Sequence, residues 1–166
     1  VGLAKSLGVD ECLLAMQEFR QRFLADPALD LAAIDFHTSN GEFDKALEAI
    51  DRLDAAIGGD PALNVIRASL KIGQKDLDAA RALLNEAISR EAAVEHALWE
   101  LAVVSVAEEK FGEAVERLSD IERRFGIRRP NFIEAPEFAA LAGTAEYEQW
   151  QQSRGQAAPS PDAASP

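Results

Sequence analysis

The stretch Asp26-Pro27-Ala28-Leu29 recurs letter for letter as Asp60-Pro61-Ala62-Leu63, at a spacing of 60 − 26 = 34 positions. The same spacing relates further sets of apolar positions. These are Phe43, Leu77 and Phe111; Cys12, Ala46, Ala80 and Ala114; and Met16, Ile50, Leu84 and Leu118. Self-similarity at a fixed period of this length is typical of repeat architectures, in which each repeat is one supersecondary unit that packs on its neighbours.

Each repeat contains two helical stretches joined by a short polar turn. The second stretch has apolar residues at i, i+3, i+4 and i+7, which predicts an amphipathic helix. It covers Phe43–Leu53, Leu77–Ile88 and Phe111–Ile121. The first stretch covers Ala28–Thr38, Ala62–Ile72 and Val94–Ala107. Asp26 and Asp60 are predicted N-caps, each followed by a proline at the first helical position, and Gly58, Gly59 and Gly126 predict helix ends.

This pattern resembles the tetratricopeptide repeat family, whose unit is a helix–turn–helix with the same period. The family has a small residue where the second helix crosses the first, and Ala46, Ala80 and Ala114 match it. Elsewhere the chain departs from the family, since a tyrosine is expected at the positions of His37, Lys71 and Ser105. The resemblance implies an all-α, right-handed α-solenoid of antiparallel helical hairpins, with repeats at 27–60, 61–94 and 95–128.

The two ends of the array are predicted to differ from these repeats. Residues 1–26 read as a partial repeat, so we expect a fragment that begins inside a longer array. Residues 129–152 read as an atypical C-terminal cap, formed by two short helices that break at Gly143 with Thr144 as an N-cap. The repeat domain therefore spans 1–152. Residues 153–166 are rich in Ala, Pro, Ser and Gln and predict a disordered tail.

Composition excludes several classes of function. The net charge is 17 − 29 = −12, which disfavours nucleic acids and anionic membranes as partners. The apolar runs are too short to span a bilayer. Cys12 is the single cysteine, so no intramolecular disulfide forms, which favours the cytoplasm without excluding other compartments.

We expect no enzymatic activity, no cofactor and no metal ion. His37 and His96 lie far apart in the chain and belong to no cluster with metal-ligand spacing. His37 is predicted to fill a slot between helices, and His96 to be partly exposed. Cys12 occupies a buried alanine position and is expected to be an inert core thiol.

The resemblance implies that the first helices line a concave surface. Aligned repeats place three mostly apolar rows on it: Leu31, Val65 and Trp99; Asp35, Ser69 and Val103; and Thr38, Ile72 and Val106. Such a groove fits the hydrophobic side chains or amphipathic helix of a partner. The carboxylate-clamp subfamily needs lysine and asparagine in these rows, so that function is rejected. The alternative is that further repeats or the C-terminal segment cover the rows, with Trp99 sealed beneath them.

One basic cluster stands out from the acidic background. It contains Arg117, Arg123, Arg124, Arg128 and Arg129. The cluster is a candidate patch for an acidic partner or an anion. The alternative is that these charges pair with a helix dipole and with nearby acids.

Together these features predict a protein–protein interaction scaffold or adaptor, whose partner is another protein or a peptide. Two alternatives stay open. One is a homo-oligomerisation module, and the other is the regulatory repeat array of an enzyme whose catalytic domain lies outside this sequence.

Overall fold

The structure is a computed structural model that describes residues 8–22, 26–129 and 131–156. Within those ranges it is helical, without a β-strand. It divides into two compact parts, an N-terminal unit (Val1–Ala97) and a C-terminal unit (Leu98–Pro166). No helix in the described ranges is both long enough and apolar enough to cross a membrane.

The helices alternate with short turns along the chain. The α-helices are α1 (Val9–Arg22), α2 (Pro27–Ser39), α3 (Phe43–Ile57), α4 (Leu63–Gly73), α5 (Leu77–Ser89), α6 (Val94–Ala107), α7 (Phe111–Phe125) and α8 (Ala145–Gln156). Two 3₁₀ segments, Phe132–Glu134 and Pro136–Leu141, lie between α7 and α8. The prediction of paired helices within each repeat is confirmed, with bounds that shift by a few residues.

Helices that are adjacent in sequence pack against each other. In the N-terminal unit α1 packs on α2, α2 on α3, α3 on α4 and α4 on α5; in the C-terminal unit α7 packs on α8. The predicted crossing alanines Ala46, Ala80 and Ala114 are fully buried. Such burial fits positions at which two helices approach closely, where only a small side chain has room.

The three hairpin turns have the same backbone geometry. Gly41, Lys75 and Glu109 are successively one repeat period apart and have φ angles of 71°, 63° and 59°. In each turn the residue after this position donates its N–H to the carbonyl five residues earlier, for example Glu42 to His37 at 2.9 Å and Asp76 to Lys71 at 2.9 Å. These bonds define a Schellman motif, which satisfies helix carbonyls and requires a left-handed residue.

The repeated Asp-Pro-Ala-Leu stretch forms the same cap twice but not the same helix start. The Asp26 carboxylate accepts the N–H of Ala28 at 2.9 Å, and the Asp60 carboxylate accepts that of Ala62 at 2.8 Å. Pro27 begins α2 as predicted. Pro61, in contrast, lies in a turn, and α4 begins at Leu63. The predicted helix start at Pro61 was wrong, because the N–H groups of Leu63 and Asn64 bond carbonyls three residues earlier and form a tighter turn before the α-helix begins.

The C-terminal cap contains the predicted pair of short helices around Gly143, which has a φ of 77°. Its first member, Pro136–Leu141, is a 3₁₀ helix rather than an α-helix. The Thr144 hydroxyl accepts the N–H of Tyr147 at 3.3 Å and so acts as the predicted N-cap of α8. This helix continues to Gln156, past the predicted start of the disordered tail at Ser153. Residues 157–166 of the predicted tail and residues 1–7 of the predicted partial repeat lie outside the described residues.

Candidate protein-binding surfaces

The predicted rows of the N-terminal unit contain both exposed and buried side chains. Leu31 keeps 53% of its surface exposed on α2, and Thr38 and Asp35 are also exposed. On α4, Ser69 is exposed and Ile72 is half-buried, while Val65 is buried. Val65 therefore contributes packing rather than accessible surface, and its predicted place on an open wall was wrong.

The accessible face of these first helices repeats at positions next to the predicted ones. It comprises Ala32, Asp35 and Ser39 on α2, and their equivalents one repeat period later, Ile66, Ser69 and Gly73 on α4. Residues at i, i+3 and i+7 lie on one side of a helix. Leu31 widens this side on α2. We call this set, with Leu31, the exposed first-helix face.

Apolar side chains and one carboxylate distinguish this face chemically. Ile66 is 37% exposed, so both α2 and α4 present a large aliphatic group to solvent. The hydroxyl of Ser69 donates to the carbonyl of Val65 at 3.2 Å, and that of Thr38 to the carbonyl of Ile34 at 2.7 Å. Because these hydroxyls bond their own helices, Leu31 and Ile66 are the groups that offer new contacts to a partner.

Gly73 on this face has a packing reason to be glycine. A Cβ at Gly73 would lie 2.7 Å from the Phe43 ring, which is too close for a real contact. The absent side chain therefore lets the phenyl ring of α3 lie against the end of α4. Phe43 of one hairpin therefore packs on the first helix of the next.

Trp99 lies in an aromatic cluster and not in an open groove. Its ring meets those of Phe138 and Phe132 edge to face, with centroids 4.9 and 5.8 Å apart. Phe138 is fully buried, and the Arg129 guanidinium covers Trp99 at 4.2 Å from its centroid. The other predicted row members in this unit, Val103 and Val106, are buried as well. The predicted exposure of Val103 and Val106 was therefore wrong. Trp99 is half-buried, because Phe132 and Phe138 of the C-terminal segment pack on it, as the alternative held.

The aromatic cluster continues to α8, where a charged side chain covers its last ring. The ring of Phe132 lies 6.1 Å from that of Trp150, and the Arg154 guanidinium lies 4.5 Å from the Trp150 ring. Arg154 also pairs with Glu122 of α7 at 2.6 Å. The crevice between these groups holds about 10 Å³, which is at most room for one water molecule. The cluster is therefore a packed cap that holds no ligand-sized space.

The five arginines of the predicted patch face different groups. Arg117 pairs with Glu113 at 3.5 Å, Arg123 pairs with Asp120, and Arg128 lies 3.9 Å from Glu122. The Arg124 guanidinium lies over the Phe125 ring at 5.4 Å from its centroid, and Arg129 covers Trp99. Arg123, Arg124 and Arg128 are exposed, whereas Arg117 and Arg129 are half-buried.

The two histidines lie in unrelated surroundings. His37 is half-buried; its Nδ1 is 2.7 Å from Glu42 in the turn, and its ring meets that of the neighbouring Phe36 edge to face at 5.3 Å. Glu42 also accepts a hydrogen bond from Lys45 at 2.6 Å, and this bond, with that of His37, lowers the pKa of Glu42. His96 is exposed beside Glu95 at 3.1 Å. Among the described residues no His, Cys, Asp and Glu cluster is arranged to hold a metal ion.

An ion-pair clamp between α3 and α4 was not found from the sequence. Arg67 lies 2.9 Å from both Asp51 and Asp54. Asp54 also accepts the N–H of Asp60 at 2.8 Å, and this bond, followed by the Arg67 contact, lowers the pKa of Asp54. Because Arg67 and the two aspartates come from different helices, the residue spacing within one helix could not predict this contact.

A shallow depression and a buried thiol complete the described surroundings of the predicted site residues. The shallow depression beside the clamp, about 420 Å³, is lined by Asp51, Asp54, Ala55, Gly58, Gly59 and Arg67, and its single arginine already pairs with both carboxylates. Cys12 is buried, as predicted. Comparisons with protein-family models, with curated proteins and with solved structures found no match.

Proposed function

We propose that this chain is a protein-interaction module of the tetratricopeptide repeat type, without catalytic activity, whose helical hairpins form a right-handed solenoid. The observation that carries the proposal is the recurrence of one hairpin geometry at every repeat period, with a solvent-facing apolar side chain on the first helix of two hairpins. Repeats of this kind present a preformed surface, which limits the entropy that is lost on binding.

The binding surface in this proposal is the exposed first-helix face, rather than the three complete rows expected from the alignment. Leu31 and Ile66 expose large aliphatic groups that gain free energy when a partner covers them. Asp35 adds a negative charge at the same side of α2. The partner is a protein or peptide with apolar side chains and a basic or hydrogen-bond-donating group near them.

Affinity capture with the intact chain tests this proposal. The chain with Leu31→Asp and Ile66→Asp is compared with the parent and with a control, Ile57→Asp. Ile57 is also exposed, at 47%, but lies at the end of α3. We expect the double variant to lose partners that the parent and the control retain. Equal partner sets for all three chains, with circular dichroism showing that each is folded, would reject the exposed first-helix face as the binding surface.

A further inference from the structure

The heptapeptide Arg123–Arg129 reads Arg-Arg-Phe-Gly-Ile-Arg-Arg, and this stretch, which we call the basic segment, contains four arginines and no acid in a chain of net charge −12. It covers the end of α7 and the loop that follows. Two large apolar side chains between the arginine pairs face solvent, since Phe125 is 40% and Ile127 is 37% exposed. A basic and apolar surface therefore occurs within this short stretch.

The backbone of the basic segment accounts for this exposure. Gly126 has a φ of 68° and ends α7 in a left-handed conformation. A turn of this kind takes the chain away from the helix axis, and a residue with a Cβ adopts it only at a cost. Phe125, the last residue of α7, is 40% exposed although it follows Leu118 and Ile121 at helical spacing. Ile127, beyond the turn, is 37% exposed although it borders the crevice that those two residues line.

The arginines keep their capacity to bind carboxylates. Arg123 and Arg128 pair with Asp120 and Glu122, but their side chains are 76% and 60% exposed. Exposed pairs of this kind contribute little to stability because solvent screens them, so a partner's carboxylates can replace the intramolecular ones. Arg124 lies over the Phe125 ring, and a stacked guanidinium retains the N–H donors along its edge.

Compensation of the α7 dipole does not explain the whole segment. Arg123 and Arg124 lie in the last turn of α7, where positive charge is favourable. Arg128 lies beyond the helix end, where the dipole effect has decayed. The helix dipole also does not account for the exposed apolar side chains of Phe125 and Ile127 beside these arginines.

We propose that the basic segment is a docking site for a short acidic peptide that carries aliphatic or aromatic side chains. Its carboxylates pair with Arg123, Arg124 and Arg128, and its apolar groups cover Phe125 and Ile127. A short peptide contacts only this patch. A nucleic acid or an anionic bilayer extends beyond the screening length of about 8 Å and meets the acidic remainder of the chain. The proposal does not depend on the exposed first-helix face.

Fluorescence anisotropy with the intact chain tests this site. The probe is a labelled synthetic peptide in which aspartate and leucine alternate. The test variant is Arg124→Glu with Arg128→Glu, and the matched control is Lys75→Glu with Arg90→Glu, which changes the charge equally at exposed positions of the N-terminal unit. We expect the test variant to bind the peptide at least about tenfold more weakly than the parent, and the control to bind as the parent does.

Further arms separate this site from general charge attraction. A peptide with serine in place of leucine should bind the parent chain more weakly than the probe does. Phe125→Ala or Ile127→Ala should weaken binding of the probe but leave binding of the serine peptide unchanged. Equal affinity of parent and test variant would overturn the proposal. So would equal binding of a peptide with lysine in place of aspartate, or tighter binding of duplex DNA or phosphatidylserine vesicles than of the probe. Circular dichroism of every variant distinguishes loss of the site from loss of the fold.

Discussion

At the scale of single residues, the left-handed position of each hairpin turn shows how the repeat tolerates change. The first turn has Gly41 there, whereas the next two have Lys75 and Glu109 in the same conformation. For a residue with a Cβ, this conformation is about 1–2 kcal/mol higher in free energy than the preferred one. The turns persist because their hydrogen bonds and the packing of both helices outweigh this local strain.

Lys75→Gly should therefore stabilise the protein by about 0.5–1 kcal/mol, because it removes the strain while the exposed lysine side chain contributes little. Gly41→Ala should destabilise it by a similar amount, because alanine introduces the strain at the equivalent position. Urea unfolding followed by circular dichroism measures both free energies. Destabilisation by Lys75→Gly would show that Lys75 makes a contact more important than its backbone angle.

Burial at the crossing alanines yields a second prediction at this scale. Ala80 is fully buried where the helices of its hairpin meet, so Ala80→Leu should destabilise the protein by about 1–3 kcal/mol through overpacking. Ala82, on the exposed side of the same helix, provides the control, and Ala82→Leu should change the stability by less than about 0.5 kcal/mol. Thermal unfolding of the two variants measures this difference, and equal effects would contradict the repeat register.

At the scale of elements, the clamp between α3 and α4 joins successive hairpins by charge as well as by packing. Asp54 receives both the Asp60 N–H and the Arg67 guanidinium, so its ionised form is favoured in the folded protein and its pKa is lowered from 3.8. A carboxyl whose pKa is lower when folded stabilises the fold above its unfolded pKa. That stabilisation is lost as the pH falls through the lower, folded value.

Asp54→Asn should accordingly destabilise the protein at pH 7, and the difference from the parent should shrink as the pH falls below about 3.8. Asp51→Asn serves as the control, because Asp51 pairs with the same arginine but is 70% exposed; its effect should be smaller, since solvent screens it. Urea unfolding at several pH values gives the free energies. A difference that stays constant down to pH 2 would exclude the ionised Asp54 as the stabilising group.

The aromatic cap of the C-terminal unit is the second element with a measurable role. Trp99 contacts Phe132 and Phe138 and is covered by Arg129. Trp99→Ala should therefore lower the free energy of unfolding, but by less than the roughly 3–5 kcal/mol of a fully buried aromatic residue, because Trp99 is half-buried. Phe125→Ala, at an exposed aromatic residue of the same unit, should cost clearly less. Chemical unfolding measures both, and a small effect for Trp99→Ala together with loss of partner capture would restore the open-groove hypothesis.

At the scale of the whole molecule, charge decides which large partners approach. The net charge of −12 produces a repulsive potential around the chain towards other polyanions. The basic segment reverses the sign only locally, and the screening length of about 8 Å confines its attraction to short ligands. A surface can thus favour an acidic peptide while the molecule as a whole disfavours a nucleic acid.

The intact chain should show no measurable retention on heparin or duplex DNA at physiological salt. Affinity chromatography with a salt gradient tests this, and the variant with Arg124→Glu and Arg128→Glu provides the comparison. Micromolar binding that weakens with salt in the parent and vanishes in the variant would contradict the prediction. It would also identify the basic segment as a site for polyanions in place of peptides.

The repeat period alone was sufficient to predict the helical hairpins, the buried alanines and the position of each turn. These features follow from local chemistry, because a helix shows its buried side as a regular apolar periodicity and a left-handed turn can recur wherever the flanking helices are alike. The burial of Cys12 was predicted for the same reason, since it occupies the repeat position of the crossing alanines.

Exposure on the first helices was decided by tertiary structure. Leu31 and Val65 occupy the same repeat position, yet one is half exposed and the other is buried. Trp99 shares that position and lies beneath Phe132 and Phe138, which come much later in the chain. A helix's own sequence predicts which side is apolar, but the element that packs against each residue determines its accessible area. For this reason the sequence determined the repeated hairpin, and only the tertiary structure determined which of its apolar side chains remain available to a partner.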